Sequence, residues 1–419
     1  MNTKFEIIPL KLEYFIAKRL ITAKDHKSSI SAPIIKIAIT AIALGMIMMI
    51  VSIATGIGLQ QKIRQKVSAF NGHIIISGYN DNNSDVSTSP ISIYQNFYPN
   101  FKTVDGIQHI QAVASKGGMI RTESAFEGII FKGVGKEYQT DNLKEYLVEG
   151  RLPNFKTNLN EETLISQYLC NRLGLKLGDK FVTYFMKEDS EGYNLRNFKI
   201  VGIYNSGFQE FDANYVIGDI RHVQRINKWK SDQIGSFEVF VDDFTEIESK
   251  GQQIYQETSS TLDSQTIVEK FYYIFEWLKL FDFNILVILI VMIAVSTINM
   301  VVALLVLILE RTQMIGILKS LGANNWSIRK MFLYNAAYLI GRGLLWGNVI
   351  GIGLLLLQKY FGIIKLNPES YYVNVAPVDI NLFYILFLNI GTVAICLLVL
   401  LIPSFIITKI TPSKSIRFE

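Results

Sequence analysis

The stretch Glu310-Arg-Thr-Gln-Met-Ile-Gly-Ile-Leu-Lys-Ser-Leu-Gly-Ala-Asn-Asn-Trp-Ser-Ile-Arg-Lys-Met-Phe332 decides how the rest of the chain is read. It is short, amphipathic and set between two long apolar runs. Ile315, Leu318 and Leu321 recur at helical spacing, Ile317 widens that stripe, and Arg311, Thr312 and Lys319 fall around it. Gly322 follows the last apolar position, where a helix can end with positive φ. Asn325 is then a candidate cap for a second helix through Trp326, Ile328 and Phe332. The spacing predicts a helix, a tight break and a second helix that enters a membrane. A stripe of this kind covers either lipid headgroups or another protein.

Working outward, four runs reach the length of about 20 apolar residues that a bilayer needs. They are Ile34 to Gly58, Ile285 to Leu309, Tyr334 to Leu357 and Leu382 to Thr408. The chain therefore reads as an integral membrane protein. Its net charge of +5 conceals a split: residues 59–283 carry 24 Lys and Arg against 29 Asp and Glu, while the remainder is strongly basic. Lys and Arg crowd the N-terminal tail, the 310–333 segment and the C-terminal tail. Short loops rich in these residues stay in the cytoplasm, which puts both termini and the opening stretch inside and residues 59–283 outside. Orientation accounts for the basic balance, so no nucleic-acid partner is needed.

The expected division follows. Residues 1–33 form a cytoplasmic or interfacial N-terminal helix, 34–58 the first span, and 59–283 an extracytoplasmic α+β domain with stalk helices. Residues 284–309 are the second span, 310–333 the cytoplasmic segment, 334–357 the third span, 358–381 a short external loop, 382–408 the fourth span and 409–419 the tail. Within the domain, strands are expected at His73–Gly78, across Phe126–Gly135, at Lys180–Met186 and at Phe198–Tyr204, and a helix from Glu161 to Leu175. Residues 187–197 read as a charged hairpin tip. Gly343, Gly347 and Gly351, spaced by four, would let another helix approach closely. Arg342 beside them reads as snorkelling to the headgroups rather than as a buried functional charge.

Catalytic signals are missing from the sequence. His26, His73, His109 and His222 stand singly, without metal-ligand spacing. Cys170 and Cys396 fall in different parts of the chain and do not make a disulfide framework. Gly133-Val-Gly-Lys-Glu137 lacks the leading glycine of a phosphate loop, and Glu137 stands where Ser or Thr would hold magnesium. The chain thus reads as a non-enzyme that binds no cofactor of its own. A membrane protein without an energy source works passively or borrows energy from a partner.

At this point the residues resemble a family. Glu310-Arg-Thr-Gln-Met-Ile-Gly-Ile-Leu-Lys-Ser-Leu-Gly-Ala323 resembles the coupling segment of FtsX/MacB-type ABC permeases, and Ile402-Pro-Ser with Ile410-Thr-Pro-Ser-Lys-Ser-Ile-Arg-Phe-Glu419 resembles their tail. Leu12-Glu-Tyr-Phe-Ile-Ala-Lys-Arg19, Gly202-Ile-Tyr-Asn-Ser-Gly-Phe-Gln-Glu-Phe-Asp212 and Tyr371-Tyr-Val-Asn-Val-Ala-Pro-Val378 resemble motifs of the lipoprotein-releasing LolC/LolE type. The resemblance implies four transmembrane helices with a MacB-like periplasmic core between the first two, in a bacterial inner membrane. It implies a permease that extracts lipoproteins and passes them to a periplasmic chaperone, driven by a cytoplasmic ABC ATPase dimer that holds the ATP and magnesium. A second permease copy or paralogue would complete the assembly, with membrane lipids around it. The implied ATPase-coupling residues are Glu310, Arg311, Thr312, Gln313, Met314, Ile315, Ile317, Leu318, Lys319, Leu321, Gly322 and Ala323. Lys187, Glu188, Asp189, Tyr193 and Arg196 are candidates for a chaperone hairpin, and Met46, Met48, Met49 and Ile293 for a lipid cavity.

The family's usual Arg-Glu before the Ile is here Gln313-Met314, which removes two charges and shifts the expected dock towards apolar contact. Two other readings stay open. One is an FtsX/MacB-type permease that moves another amphiphile or regulates an envelope enzyme, although MacB-type chains carry a fused ATPase for which this sequence has no room. The other is a stand-alone membrane receptor.

Overall fold

The computed structural model describes residues 13–16, 31–81, 84–123, 125–156, 159–187 and 192–410. Most of the expected N-terminal interfacial helix and the C-terminal tail from residue 411 lie outside the described residues, although 13–16 are helical. Among the described residues, four helices are long and apolar enough to cross a membrane: Pro33–Asn71, Tyr272–Glu310, Asn325–Phe361 and Leu382–Lys409. The last is interrupted at Phe405, between Leu382–Ser404 and Ile406–Lys409. The chain is a multi-pass membrane protein, with an α+β domain inserted between its first and second spans. It divides into a span unit and an inserted-domain unit. The latter comprises Gln60–Leu278 together with Lys365–Val375 of the loop between spans three and four. The first helix runs unbroken to Asn71, as the amphipathic stretch after Gly58 predicts.

In the span unit, the glycine face of the third span meets the first span. A Cβ on Gly343 would lie 2.7 Å from Ile42 Cβ, and one on Gly347 would lie 2.6 Å from Met46 Cβ and 2.9 Å from the Ala43 carbonyl. Only a missing side chain permits that approach, which gives dispersion contacts where lipid would otherwise compete. Asn348 and Asn389 join spans three and four through a reciprocal amide pair, at 2.8 and 3.0 Å. The second and fourth spans turn large side chains outward, among them Leu286, Ile290, Ile298, Phe383, Phe387 and Leu398.

The inserted domain is a mixed sheet with helices against it. Its strands are β1 (Ile74–Gly78), β2 (Ile91–Ser92), β3 (Ile107–Arg121), β4 (Phe126–Val134), β5 (Leu147–Gly150) and β6 (Glu162–Ser166). They continue with β7 (Lys180–Met186), β8 (Tyr193–Tyr204), β9 (Tyr215–Asp219), β10 (Gln233–Ile234), β11 (Ser236–Val241) and β12 (Leu262–Thr266). The order is β12-β1-β11-β3-β4-β9-β6-β8-β5, with β7 pairing β3 and β8, and β10 pairing β2 apart. β4–β9 and β6–β8 run parallel. β1 and β12 are antiparallel neighbours, so the strand that follows the first long helix pairs with the strand that precedes the second.

Several local expectations change. Glu162–Ser166 is a strand rather than the start of a helix, because Thr163, Leu164 and Ile165 sit buried in the sheet. Ser166 then caps the short helix Gln167–Leu173 by accepting from the Leu169 N–H. β8 begins at Tyr193, so residues 193–197 belong to a paired strand and the hairpin tip is shorter than 187–197. The rejection of a phosphate loop at Gly133, by contrast, stands. Gly133 pairs with Ala114 and Gly218 inside the sheet, and a Cβ there would come 2.6 Å from the Ile220 Cα.

The core of the domain also holds charge. Lys132 of β4 and Glu238 of β11 form an ion pair and are almost fully buried. Gln111 of β3 donates to the Glu238 carboxylate at 2.8 Å, and Lys132 donates to the Phe70 carbonyl as well. That carbonyl belongs to the last turn of the first long helix, where acceptors lack intrahelical donors.

Candidate functional site

The opening stretch folds as the helix Thr312–Ser320 followed by the long helix Asn325–Phe361. Between them, Ala323 N–H donates to the Leu318 carbonyl and Gly322 N–H to the Lys319 carbonyl, both at 3.0 Å, with Gly322 at φ 87°. This is the paired closure that glycine after a helix end allows. The cap of the next helix is Asn324, one residue earlier than expected, which accepts from the Trp326 N–H at 3.2 Å.

The apolar stripe splits. Ile315 is fully buried in a cluster with Ile308, Ile328, Phe332 and Ile407, and Met314, Leu318 and Ala323 pack against that cluster. Ile315 therefore serves the chain's own core, a correction to its expected place in a partner-facing stripe, whereas Leu318 is only partly covered. Gln313, Ile317 and Leu321 face outward, one helical turn apart, and Leu321 is 79% exposed. Glu310 is exposed and Arg311 half-buried, while Thr312 donates back to the Leu309 carbonyl at 2.6 Å.

Two cations of this segment hold the fourth span, which periodicity alone did not indicate. The Lys319 ammonium donates to the carbonyls of Ile407, at 2.6 Å, and Ile410, at 2.7 Å. Arg329, nearly buried, donates from Nε to Ser404 Oγ at 3.0 Å and from a terminal nitrogen to the Leu401 carbonyl at 3.2 Å. Its guanidinium lies 3.9 Å from the Phe405 ring centre.

Two motifs far apart in sequence meet in the inserted-domain unit. Tyr372 of the 365–375 loop stacks on Phe208 with ring centres 4.3 Å apart, and Trp277 approaches Tyr372 edge-on at 5.6 Å. Lys66, on the first long helix, donates to the carbonyls of Ser206 and of Tyr372, the latter at 2.8 Å. Asp212 closes the turn by accepting from Ser206 N–H at 3.0 Å, Ser206 Oγ at 2.7 Å and Gly207 N–H at 3.0 Å. Burial pushes its carboxyl above the usual Asp value despite those donors. A cavity of about 290 Å³ beside this junction is lined by Gln167, Tyr168, Asn171, Asn205 and Gln209 among others. Nothing in the separate motifs signalled that they touch.

The β7–β8 hairpin carries Lys187, exposed, and Tyr193, 55% exposed, with Tyr184 edge-on to Tyr193 at 6.0 Å. Arg196 donates to its neighbour's Leu195 carbonyl at 3.0 Å. Glu188 and Asp189 lie outside the described residues. Met186 and Leu195 are exposed beside Tyr193, so the base of the hairpin adds an apolar surface to the charges of Lys187 and Arg196. The cavity grouping does not hold together. Met46 and Met49 are fully buried in helix packing and Ile293 packs against the same cluster, whereas Met48 points the opposite way and is half-exposed. Positions 46 and 49 share a face that 48 cannot join at 100° per residue. Arg342 is exposed, its guanidinium 4.8 Å from the Tyr338 ring centre.

Residues 37–268 match the MacB-like periplasmic core domain, and residues 286–412 match the FtsX-like permease C-terminal region. The chain belongs to the MacB-like periplasmic core domain family. The later three spans and the 310–333 segment fall in the FtsX-like match, so it is an ABC permease of the FtsX/MacB kind. It is similar to the lipoprotein-releasing system transmembrane protein LolE of Haemophilus influenzae, 22% identical over 96% of this chain and 98% of that one. It is similar as well to LolC of Buchnera aphidicola, 23% identical over 92% and 94%, and to LolC of Neisseria meningitidis, 22% identical over 97% and 99%.

Proposed function

We propose that this chain is the permease subunit of an inner-membrane ABC transporter that extracts lipoproteins and hands them to a periplasmic chaperone. Both termini and the 310–333 segment would face the cytoplasm, where a separate ATPase dimer holds ATP and magnesium. A second permease copy or paralogue would complete the assembly. The observation that carries the reading is the outward face Gln313, Ile317 and Leu321, held on a short helix between two spans. It is a mostly apolar face that the chain's own packing leaves exposed. Gln313 replaces a charge there, so docking should weaken little with salt, since screening acts on exposed charges.

The lipoprotein substrate is supported by the similarity to LolC and LolE along nearly the whole chain. Burying acyl chains is worth about 0.8 kcal/mol per CH₂, so a multiply acylated anchor leaves the bilayer too slowly without coupled energy. The apolar surface at the base of the β7–β8 hairpin, with Met186, Tyr193 and Leu195, is the chaperone contact in this reading.

Depletion of the protein tests the substrate. Acylated lipoproteins should accumulate in the inner membrane on density fractionation, and an unchanged distribution between membranes would refute the assignment. The docking face is tested by Ile317→Asp with Leu321→Asp, which should abolish ATPase co-purification while the chain still inserts. Ile315 is unsuitable for that purpose, because a charge there would disrupt the bundle itself.

A further inference from the structure

We propose that Lys319 and Arg329 are positioning residues that transmit movement of the docking helix to the fourth span, across the break at Phe405. The proposal rests on the docking reading above. Covalently, the 310–333 segment continues only into spans two and three. The fourth span enters later in the chain, and among the described residues side chains of the segment join it.

Those contacts are placed at the point where the fourth span is weakest. Pro403 lies inside the helix Leu382–Ser404, and at Phe405, which keeps helical angles, the ladder tightens to Phe405 N–H donating to Ile402 and Thr408 N–H to Phe405 before the last turn, Ile406–Lys409. Proline supplies no N–H and disrupts the hydrogen-bond ladder, so a helix bends most readily there. Arg329 grips the near side of the break, through Ser404 Oγ and the Leu401 carbonyl, with its guanidinium against the Phe405 ring. Lys319 grips the far side, through the Ile407 and Ile410 carbonyls. These carbonyls sit at a helix end, where acceptors lack backbone partners and the helix dipole favours a cation.

The two donors sit on different helices of the segment, Lys319 in Thr312–Ser320 and Arg329 in Asn325–Phe361, with the Gly322 turn between them. A rotation of the docking helix about Gly322 therefore moves Lys319 relative to Arg329. Because each is bonded to one side of the Phe405 break, that rotation bends the fourth span. Ile315 also meets Ile407 in a shared apolar cluster, and an apolar surface of that kind slides without a fixed register.

The test uses the full permease assembled with its ATPase in nanodiscs, with spin labels at Ser320 and Ile402, both exposed. With Lys319 intact, the label-to-label distance should shift between nucleotide-free and ATP-bound states as a single population. In Lys319→Met it should broaden or lose its ATP dependence, read on complexes purified to the same ATPase content as the parent. Lys319→Arg, which can still donate to the same carbonyls, should restore the shift. A Lys319→Met distribution that matches the parent in both states overturns the proposal. So does a loss that merely follows loss of ATPase binding, which would make Lys319 a docking residue. Release of a triacylated model lipopeptide per ATP, measured on the same samples, should fall at least fivefold in Lys319→Met. If the unmodified complex releases none while the label result holds, the lipoprotein reading fails and the coupling role stands.

Discussion

In the inserted domain the large apolar side chains point inward. Phe131, Phe185, Phe198, Phe208, Phe211 and Phe237 are essentially fully buried, and a Lys132–Glu238 pair is sealed among them. In the span unit many such side chains point outward, as Phe383, Phe387 and Leu398 do, and the contacts that fix geometry come from Gly343, Gly347, the Asn348–Asn389 pair, Lys319 and Arg329. The contrast follows from the solvent. Water drives apolar burial at roughly 25 cal/mol per Å², so the domain is organised by what it hides. Lipid exerts no such drive, so the spans are organised by small residues and by polar groups that must find partners.

Substitutions can break this contrast from either side. The largest effect is expected from Lys132→Met, which strands a buried carboxylate and should destabilise the domain by about 3–5 kcal/mol. Protease susceptibility of the solubilised full chain would measure it, and adding Glu238→Leu should recover part of the loss. A similar loss from removing a charge in the span unit would erase the distinction.

Acid should act on the domain next. His73 Nδ1 accepts the Val241 N–H at 3.0 Å and the ring is largely buried between Phe240 and Phe244, which lowers its pKa from 6.5 to about 4. The fold therefore favours the neutral ring. The stability this contributes is present above pH 6.5 and is lost as pH falls towards 4, by about 3 kcal/mol in all. Unfolding followed by hydrogen exchange across β11 should show that slope, and His73→Gln should flatten it.

The span unit should respond to size. Gly347→Val places carbon where Met46 and the Ala43 carbonyl already sit, at an expected cost of about 1–3 kcal/mol, read as a lower melting temperature in detergent. Phe387→Ala, on an outward face, should change it little. The smallest effect is expected at the junction of the two separated motifs. Tyr372→Leu removes the stack on Phe208 and should cost about 1 kcal/mol, seen as faster exchange in residues 365–375 with the rest of the domain unchanged.

Legibility in the sequence follows the same division. The four spans and the inserted α+β domain could be read directly, because run length and alternating strands are local properties. Strand β6 was misread because Glu161–Leu175 has apolar residues compatible with either period, and sheet burial of Thr163–Ile165 settled it. The 15-residue strand β3 has polar Gln111 and Lys116 at buried positions, which hides its pattern. At the docking segment, spacing located the helix and its glycine stop. It could not say which side of the stripe was already occupied, so Ile315 read as a contact surface when it is core.

The sequence alone determined the number of spans, the insertion of a large domain after the first, and an amphipathic helix ended by Gly322 between the second and third. Each depends on composition and period within a few tens of residues. Only the tertiary structure decided that Ile317 and Leu321, rather than Ile315, face outward, that Tyr372 stacks on Phe208, and that Lys319 and Arg329 hold the fourth span on either side of Phe405. Those contacts join residues some 70 to 160 positions apart. Their partners are mostly backbone carbonyls and ring faces, which every sequence contains, and only packing chooses among them.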